Sequence, residues 1–338
     1  MSRKKTLLLA LLSITVLAIL VAGVMRWQLK QGRSTPPPVG NPVLNGDIAP
    51  APGLPRGFVV WSSNRYGNHD ILRMQLPQRK ISRLTQHPHT EYFPRIAPNG
   101  QAIVFARSQV PWVSQRNQVP WDVILLDLNN GQERLLAKNG NTPTWSADGS
   151  HVYFQRNNTQ FVEINVKTGQ ERTLYTSGTG DIRDGAVLQT PHYDARSGRV
   201  AVTLRGAQHK IGIMDLNGKF TRIADGCQLT WSKQGDFLYY IDYGGRMKNA
   251  LYRYDPEKGE SRLWMDIPGE FSHEYFPKLS NDERYLVYGA SSGGHEHDSA
   301  DYEIFLWKLG TPLTEVTRLS FHTGNDNWPD VYIDPENN

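Results

Sequence analysis

Histidines and acids are concentrated in a few short runs of this 338-residue chain. The run "SSGGHEHDSADYE" places His295, His297, Asp298 and Asp301 within seven positions. Imidazole together with carboxylate suits Zn, Mn or Fe, whereas carboxylates with carbonyl oxygens suit Ca. The run therefore predicts a divalent metal site (Ca, Zn or Mn), provided that other segments bring further ligands to it. The alternative is that these histidines are simply solvated.

Three other runs, "HPHTEYFP", "SHEYFP" and "HTGNDNWP", have an acid three positions before a proline. Their shared position suggests that they come together, and they complete the set of candidate metal ligands. That set is Glu91, His273, Glu274, His295, His297, Asp298, Asp301, His322 and Asp326. The aromatic residues beside these acids are candidate contacts for a binding partner. They are Tyr92, Tyr275 and Trp328, and the alternative for Trp328 is that it packs between blades.

The elements that must position these residues are strands. From Gly57 onward, apolar segments alternate with turns, and no convincing helical stretch is present. One pattern recurs in five complete units between Phe93 and Ser320, for example "TPTWSADGSHVYFQRN" followed by "QFVEINVKTGQERTLYT". Each unit predicts four antiparallel strands in about 40–50 residues, which is typical of a β-propeller blade. We number these units blades 1 to 5 in chain order.

Two fragments lie outside the five units. The segment from Gly57, "GFVVWSSNRYGNHDILRMQLPQRKISRLTQ", has only the last three strands of a blade, and the C-terminal "WPDVYIDP" has only the first. Together they make a sixth blade, here called the closing blade. We therefore predict an all-β, six-bladed β-propeller over residues 57–338, closed by pairing of the C-terminal strand with the three N-terminal strands.

The run "VVWSSNRYGNHDILRMQL…ISRLTQHPHTEYFPRIAPNGQAIVFAR" resembles the WD40-like repeat of the TolB propeller. It has the S-N-R-x-G, [DE]-I, LT and P-x-x-[SA]-x-[DN]-G elements of that repeat. The resemblance covers roughly 280 residues and is specific for fold rather than function. Similar propellers occur in TolB, in some peptidases and in some polysaccharide lyases. We expect the N-terminal α/β domain of TolB to be absent from this chain.

Residues 1–56 have a different character. A basic start is followed by a 19-residue apolar run from Leu7 to Met25, close to the ~20 residues that span a bilayer. We predict a cytoplasmic N-terminus at 1–5, a transmembrane signal anchor at 6–25 and a Pro-rich linker at 26–56. A cleaved signal peptide is the alternative. The expected location is the inner (cytoplasmic) membrane, with the propeller in the periplasm or outside the cell.

Charge and cysteine content exclude other classes of function. Residues 1–33 carry six basic residues and no acid, which leaves 31 bases against 33 acids, about −2, in the remainder. The basic character of the chain therefore belongs to its N-terminus, and we expect no nucleic-acid partner. The single cysteine, Cys227, cannot form an internal disulfide. We expect it to be a small buried core residue.

In a propeller, the loops that enter each first strand share one face with the loops between second and third strands. Seven of the ten histidines map to this loop face, on blade 5, the closing blade and blade 1. Asp70, Asp122 and Glu303 occupy an acid position within the repeat itself, and we expect them to be structural hydrogen-bond acceptors.

Two functions remain open. The first is a scaffold that binds an envelope protein or polysaccharide without chemistry. The second is a metal-dependent enzyme similar to the propeller lyases, in which Arg65 or Arg107 would meet substrate carboxylates. The run "GASSG" at Gly289–Gly293 matches the hydrolase G-x-S-x-G motif by letter. We interpret it as a chance match, because a nucleophile elbow requires a strand followed by a helix.

Overall fold

The computed structural model describes residues 48–111, 113–114, 120–246, 249–322 and 324–335. The predicted N-terminus at 1–5, the anchor at 6–25 and the linker up to residue 47 lie outside these ranges. Within them, no helix is long and apolar enough to cross a membrane. The regular secondary structure in these ranges consists of strands and a short 3-10 helix at Leu313–Glu315, joined by turns and loops.

Six four-stranded sheets contain 24 strands, and each sheet is one blade. The first strands of the chain are β1 (Gly57–Tyr66), β2 (Asn68–Leu76) and β3 (Lys80–Arg83). Blade 1 contains β4 (His89–Ile96), β5 (Ala102–Pro111), β6 (Trp121–Asp127) and β7 (Glu133–Ala137). Blade 2 contains β8 (Gly140–Trp145), β9 (His151–Arg156), β10 (Gln160–Asn165) and β11 (Glu171–Thr176).

The remaining strands continue the same pattern. Blade 3 contains β12 (Ala186–Asp194), β13 (Arg199–Gly206), β14 (Lys210–Asp215) and β15 (Phe220–Ala224). Blade 4 contains β16 (Cys227–Trp231), β17 (Leu238–Tyr243), β18 (Asn249–Asp255) and β19 (Glu260–Met265). Blade 5 contains β20 (His273–Leu279), β21 (Tyr285–Ser291), β22 (Glu303–Lys308) and β23 (Thr317–Arg318), and the last strand is β24 (Asp326–Ile333).

The burial of each strand follows its place in the blade. The second strand β9, "HVYFQR", is buried at its four central residues, because neighbouring blades cover both faces of the sheet. The outermost strand β11, "ERTLYT", is mostly exposed and carries charged residues. Charge on an exposed edge discourages pairing with other chains.

The ring closes as the sequence predicted. Strand β24 pairs antiparallel with β1, from Gly57 opposite Ile333 to Ser63 opposite Asp326, and the closing blade has the order β24–β1–β2–β3. Ile48 packs against the hydrophobic cluster of this blade. The end of the predicted linker therefore lies against the propeller, whereas the sequence placed the start of the packed body at Gly57.

The first strand of every blade has the same backbone distortion. One non-glycine residue in each has a positive φ between 46° and 59°, a conformation that is uncommon for such residues. These residues are Phe93, Thr142, Thr190, Gln228, Phe276 and Trp328. The pairing of first and second strands shifts register at this point, for example between Tyr92 and Arg95 in blade 1. Because all six side chains border one small cavity, they face the axis of the ring.

Candidate functional site

The loop between β21 and β22, residues 292–302, lies across the loop face. Its Asp298 accepts a hydrogen bond of 3.0 Å from the Tyr92 hydroxyl and another from the Ser114 hydroxyl, both in blade 1. The side chain of Asn327 in β24 donates to the His297 carbonyl at 3.0 Å. This loop, which we call the crossing loop, therefore joins blade 5 to the closing blade and blade 1.

The aromatic residues predicted as partner contacts lie beneath the crossing loop. The His297 ring is 4.7 Å from the Tyr275 ring and 6.2 Å from the Trp328 ring. Trp328 also contacts Phe93 and Phe276 from the two neighbouring blades, with ring centroids 4.4 Å apart in both pairs. Tyr92, Tyr275 and Trp328 are only 1%, 8% and 4% exposed. Their main contacts are thus with the chain itself.

Two of the predicted acidic ligands form buried ion pairs. An oxygen of Glu91 lies 2.6 Å from Arg107, and the other accepts a hydrogen bond from Thr85. Burial raises the pKa of Glu91 to about 7. Asp326 lies 2.6 Å from the guanidinium of Arg65, and that positive charge holds the pKa of Asp326 below its usual value against the effect of burial.

Histidine and carboxylate come together at one point of the candidate set. The Nε2 atom of His322 is 3.3 Å from Asp326 Oδ1, while its Nδ1 accepts the Gly324 N–H at 2.7 Å. Burial lowers the pKa of His322, which favours the neutral imidazole at neutral pH. In blade 5, Glu274 accepts the Ile267 N–H at 2.6 Å, and burial raises its pKa to about 8. His273 lies beside it at the start of β20.

The candidates in the crossing loop are held separately. His295 is 63% exposed, with Nε2 3.6 Å from the Glu296 carboxylate. Asp301 accepts from the backbone N–H and the hydroxyl of Ser292, at 3.1 and 2.5 Å. Across the described ranges, no group of three or more His, Cys, Asp and Glu side chains is arranged to hold a metal ion. The metal site therefore stays a prediction.

The acids of the repeat itself are structural acceptors, as expected. Asp70 lies 2.8 Å from Arg83 on the neighbouring strand β3. Asp122 accepts from the Gln109 side chain at 2.8 Å, and Glu303 accepts from the Ser320 hydroxyl at 2.5 Å. The first two bonds join neighbouring strands of one blade, and the third reaches Ser320 just after the outer strand β23.

The residues considered for catalysis have internal partners. Arg65 pairs with Asp326, and Arg107 bridges Glu91 and Glu133. Ser291, at the centre of "GASSG", is buried at the end of β21 and donates to the Gly294 carbonyl. A loop follows β21, so the strand-to-helix geometry of a nucleophile elbow is not found there.

A cleft of about 360 Å³ opens beside the crossing loop, between blades 3, 4 and 5. It is lined by residues that include Arg205, Cys227, Asp242, Tyr243, Asn249, Tyr275 and His297. The Asn249 side-chain nitrogen is buried and has no hydrogen-bond partner among the described residues. Tyr243 is 74% exposed. The cleft thus offers a cation, an acid, an amide and aromatic rings to a polar ligand or partner surface.

The sequence analysis did not identify Arg205, Tyr243 and Asn249 as candidate site residues. They lie on blades 3 and 4, where no histidine-rich loop draws attention. An alignment of the strands could have identified them, because each lies at or next to the end of a strand that reaches the loop face. Cys227 is half-buried, so the prediction of a core residue is correct only in part.

Sequence comparison reaches a limited part of the chain. No protein-family model matches it. An uncharacterised protein of Agrobacterium fabrum is 26% identical over 105 residues, which are 29% of this chain and 36% of that protein. The match thus spans about a third of the length of this curated relative.

Structural comparison covers most of the propeller. TolB of Acinetobacter baumannii has a TM-score of 0.59 at 16% identity, over 81% of this chain and 66% of that one. A protein of Agrobacterium tumefaciens named as a TolB has a TM-score of 0.53 at 14% identity, over 84% of this chain and 100% of that one. The chain has a TolB-like propeller fold. The fold implied by the WD40-like repeat is thereby confirmed.

A third solved structure is an oligogalacturonate lyase in complex with manganese. It has a TM-score of 0.47 at 14% identity, over 78% of this chain and 73% of that one. At that TM-score the likeness supports no statement about activity. At sequence identities of 16% and 14%, the similarity to the two TolB structures establishes a shared fold only.

Proposed function

We propose that this chain is a membrane-anchored binding propeller of the cell envelope, which engages a protein or a polysaccharide through its loop face. The observation that carries the proposal is the open cleft of about 360 Å³ on that face. Its walls come from three blades, each of which is a hydrogen-bonded four-stranded sheet. A preformed concave site of this kind is typical of ligand and partner recognition.

The chemistry of the cleft suits a partner surface. Tyr and Arg are the side chains that most often dominate binding energy at interfaces. Tyr243 is 74% exposed at the rim, and Arg205 is held by bonds to the carbonyls of Leu204 and Gly226, both at 2.9 Å. An arginine fixed in this way loses little conformational entropy when it binds.

Site-specific photo-crosslinking tests the proposal. A photoreactive residue at Tyr243 is compared with one at Leu263, which is 52% exposed on the outer strand of the same blade. We expect a discrete crosslinked product in envelope preparations from position 243 and none from position 263. Mass spectrometry of the crosslinked peptide then distinguishes a protein from a polysaccharide. Identical patterns at the two positions would refute a specific role for the cleft.

The anchor at 6–25 and the location outside the cytoplasm are part of the same proposal. A tethered propeller remains close to the membrane, which raises the effective concentration of partners there. The basic residues before the apolar run support a cytoplasmic N-terminus and an exported propeller.

The metal-dependent enzyme is the second candidate. It rests on the crossing loop, where the exposed His295 and the half-buried His297 lie two residues apart and His297 lines the cleft. Titration calorimetry with Mn²⁺, Zn²⁺ and Ca²⁺ should then show binding that is lost in His295→Ala. Oligouronides with added manganese should give the absorbance of unsaturated products. If no metal binds and a chelator leaves the melting temperature unchanged, this candidate is wrong.

A further inference from the structure

Two successive rings of side chains line the axis of the propeller. The first ring consists of the six residues with positive φ. The second ring lies two residues further along each first strand. Its members are Arg95, Thr144, His192, Thr230, Lys278 and Asp330. A cavity of about 20 Å³ lies between the rings, and five members of the second ring, all except Thr230, border a larger cavity of about 460 Å³.

The larger cavity opens on the face opposite the crossing loop. Its outer lining comes from the turns between first and second strands, including Pro98, Ala147 and Lys233. Towards the loop face, the contacting rings of Phe93, Phe276 and Trp328 occupy three of the six positions around the axis. The turn side is therefore the wider entrance to the axis.

Positive charge exceeds negative charge on the cavity wall. Arg95, Lys278 and Lys233 line it with the carboxylate of Asp330. Both oxygens of that carboxylate already accept backbone N–H groups, at 2.9 and 3.0 Å. Arg196 also lines the cavity, but it pairs with Asp194 at 3.2 Å.

The pKa values of two basic residues on this wall reflect the same excess of positive charge. The pKa of Lys278 lies well below its usual value, first because of burial and then because of the nearby charge of Arg95. The pKa of His192 is also well below its usual value, through burial and then the charge of Lys278. A bound anion would relieve this repulsion, because an opposite charge favours the charged form of a buried base.

Residues with unpartnered polar atoms surround the small cavity, and two of them, Thr144 and His192, also border the larger one. Several buried atoms on the axis have no hydrogen-bond partner within the described part of the chain. They are Thr142 Oγ1, Thr144 Oγ1, Thr190 Oγ1, His192 Nδ1 and Gln228 Nε2. The Gln228 side chain belongs to a residue that is only 7% exposed. Buried polar groups in folded proteins nearly always have a partner. These five unpartnered atoms therefore indicate that a molecule occupies the space on the axis.

Water alone explains only part of this arrangement. A cavity of about 20 Å³ has room for a single water molecule, which could satisfy some of the hydroxyl groups. A neutral water does not balance the two basic side chains Arg95 and Lys278, which face the single carboxylate of Asp330. Their combination with hydroxyl and amide donors is the usual composition of an oxyanion site.

We propose that the larger cavity of about 460 Å³, here called the axial cavity, binds a small oxyanion, a phosphate or carboxylate group, which enters from the turn side and is held by Lys278 and Arg95. The unpartnered hydroxyl of Thr144 lies on the same ring and adds a donor. The Thr230 hydroxyl accepts from Lys278 Nζ at 3.2 Å and donates to the Gln228 carbonyl, and so positions the lysine. This site is distinct from the cleft on the loop face. A small-molecule ligand here would occupy the propeller independently of its partner.

Isothermal titration calorimetry on the purified full-length chain tests the proposal at constant ionic strength. One arm uses inorganic phosphate and the other uses succinate, so that phosphate and carboxylate ligands are distinguished. We expect saturable binding in at least one arm, weakened about tenfold or more by Lys278→Gln, since a charged hydrogen-bond donor is lost. The matched control is Lys258→Gln, which removes an exposed lysine in the turn between β18 and β19 and should bind as the wild type does.

A second variant keeps the proposal testable if Lys278→Gln does not fold. Lys233 is exposed at the rim of the cavity, so Lys233→Gln should fold normally and weaken binding by roughly two- to threefold through lost attraction. Absence of binding in both arms would overturn the proposal, as would equal binding by wild type and Lys278→Gln. Crosslinking from position 243 should be unaffected by Lys278→Gln, so this result is separable from the test of the cleft.

Discussion

At the scale of single residues, the acids that the sequence marked as ligands are mostly buried in polar networks. Asp326 and Arg65 show this best, because both are almost fully buried and lie 2.6 Å apart. Removal of one partner from a buried ion pair leaves the other charge uncompensated, which is far more costly than loss of the attraction itself. These hydrogen-bond and ion-pair networks stabilise the loop face.

Asp326→Ala should lower the free energy of unfolding by about 3–5 kcal/mol, because Arg65 would keep a buried charge without its partner. Urea denaturation measures the change. The double variant Arg65→Met/Asp326→Leu should recover much of it. Asp225→Ala is the control, since its pair with Arg222 is exposed on the surface and should change stability by less than about 1 kcal/mol. Equal effects of Asp326→Ala and Asp225→Ala would contradict the role of burial.

Glu274 should make stability depend on pH. Its folded pKa of about 8 is above its usual value of 4.5, because of burial. The folded state therefore holds this proton more tightly than the unfolded chain does. Its stabilising contribution is fully present below pH 4.5 and is lost as pH rises towards about 8.

Glu274→Gln should remove this dependence. Between pH 5 and pH 9, the free energy of unfolding of the wild type should fall by roughly 1–3 kcal/mol relative to the variant. Denaturant titrations at both pH values measure the difference. Glu257→Gln, at an exposed turn, should behave as the wild type does. A difference between wild type and Glu274→Gln that is constant with pH would show that the carboxyl titrates normally.

At the scale of elements, closure depends on β24. This strand hydrogen-bonds to β1, and Asn281 of blade 5 holds its end through bonds to Ile333 of 3.0 and 2.7 Å. Val331 and Ile333 also enter the hydrophobic cluster of the closing blade. Without β24, an unpaired edge and an apolar groove would face solvent.

Truncation after Asn325 should therefore abolish the cooperative thermal transition and cause aggregation. Truncation after Pro335 keeps β24 complete and should retain a melting temperature close to that of the full chain. Circular dichroism and size-exclusion chromatography compare the two. A truncation at Asn325 that stays monomeric with an unchanged transition would show that closure contributes little to stability.

At the scale of the whole molecule, the two ends of the axis offer different chemistry. The crossing loop and the cleft beside it lie on one face, and the positively charged axial cavity opens on the other. With the proposed anchor, the propeller would present one face to the proposed envelope partner while the other remains open to small solutes.

The anchor proposal predicts where each form of the protein is found. The full chain should sediment with membranes and require detergent for extraction, because an apolar run of 19 residues can span the bilayer. A fragment of residues 48–338 should remain in the supernatant with the same far-ultraviolet spectrum per residue of propeller. Release of the full chain by high salt would point instead to a peripheral attachment.

The sequence alone determined the architecture. Strand periodicity and turn residues are local signals, and their repetition fixed both the number of blades and the closure of "WPDVYIDP" onto the segment that begins at Gly57. Asp70 and Glu303 could be assigned structural roles because their position recurs in the repeat. The six axial residues could also have been found in this way, since a proline follows five of them.

The tertiary structure decided which side chains meet. Arg65 and Asp326 are 261 residues apart, and Asp298 reaches Tyr92 across two blade boundaries. The sequence placed these residues on one face but could not say whether they turn towards a ligand or towards each other. That choice depends on side-chain packing between strands that are distant in the chain. The charged ring of Arg95, Lys278 and Asp330 also exists only once the blades have closed around an axis, because each member comes from a different sheet.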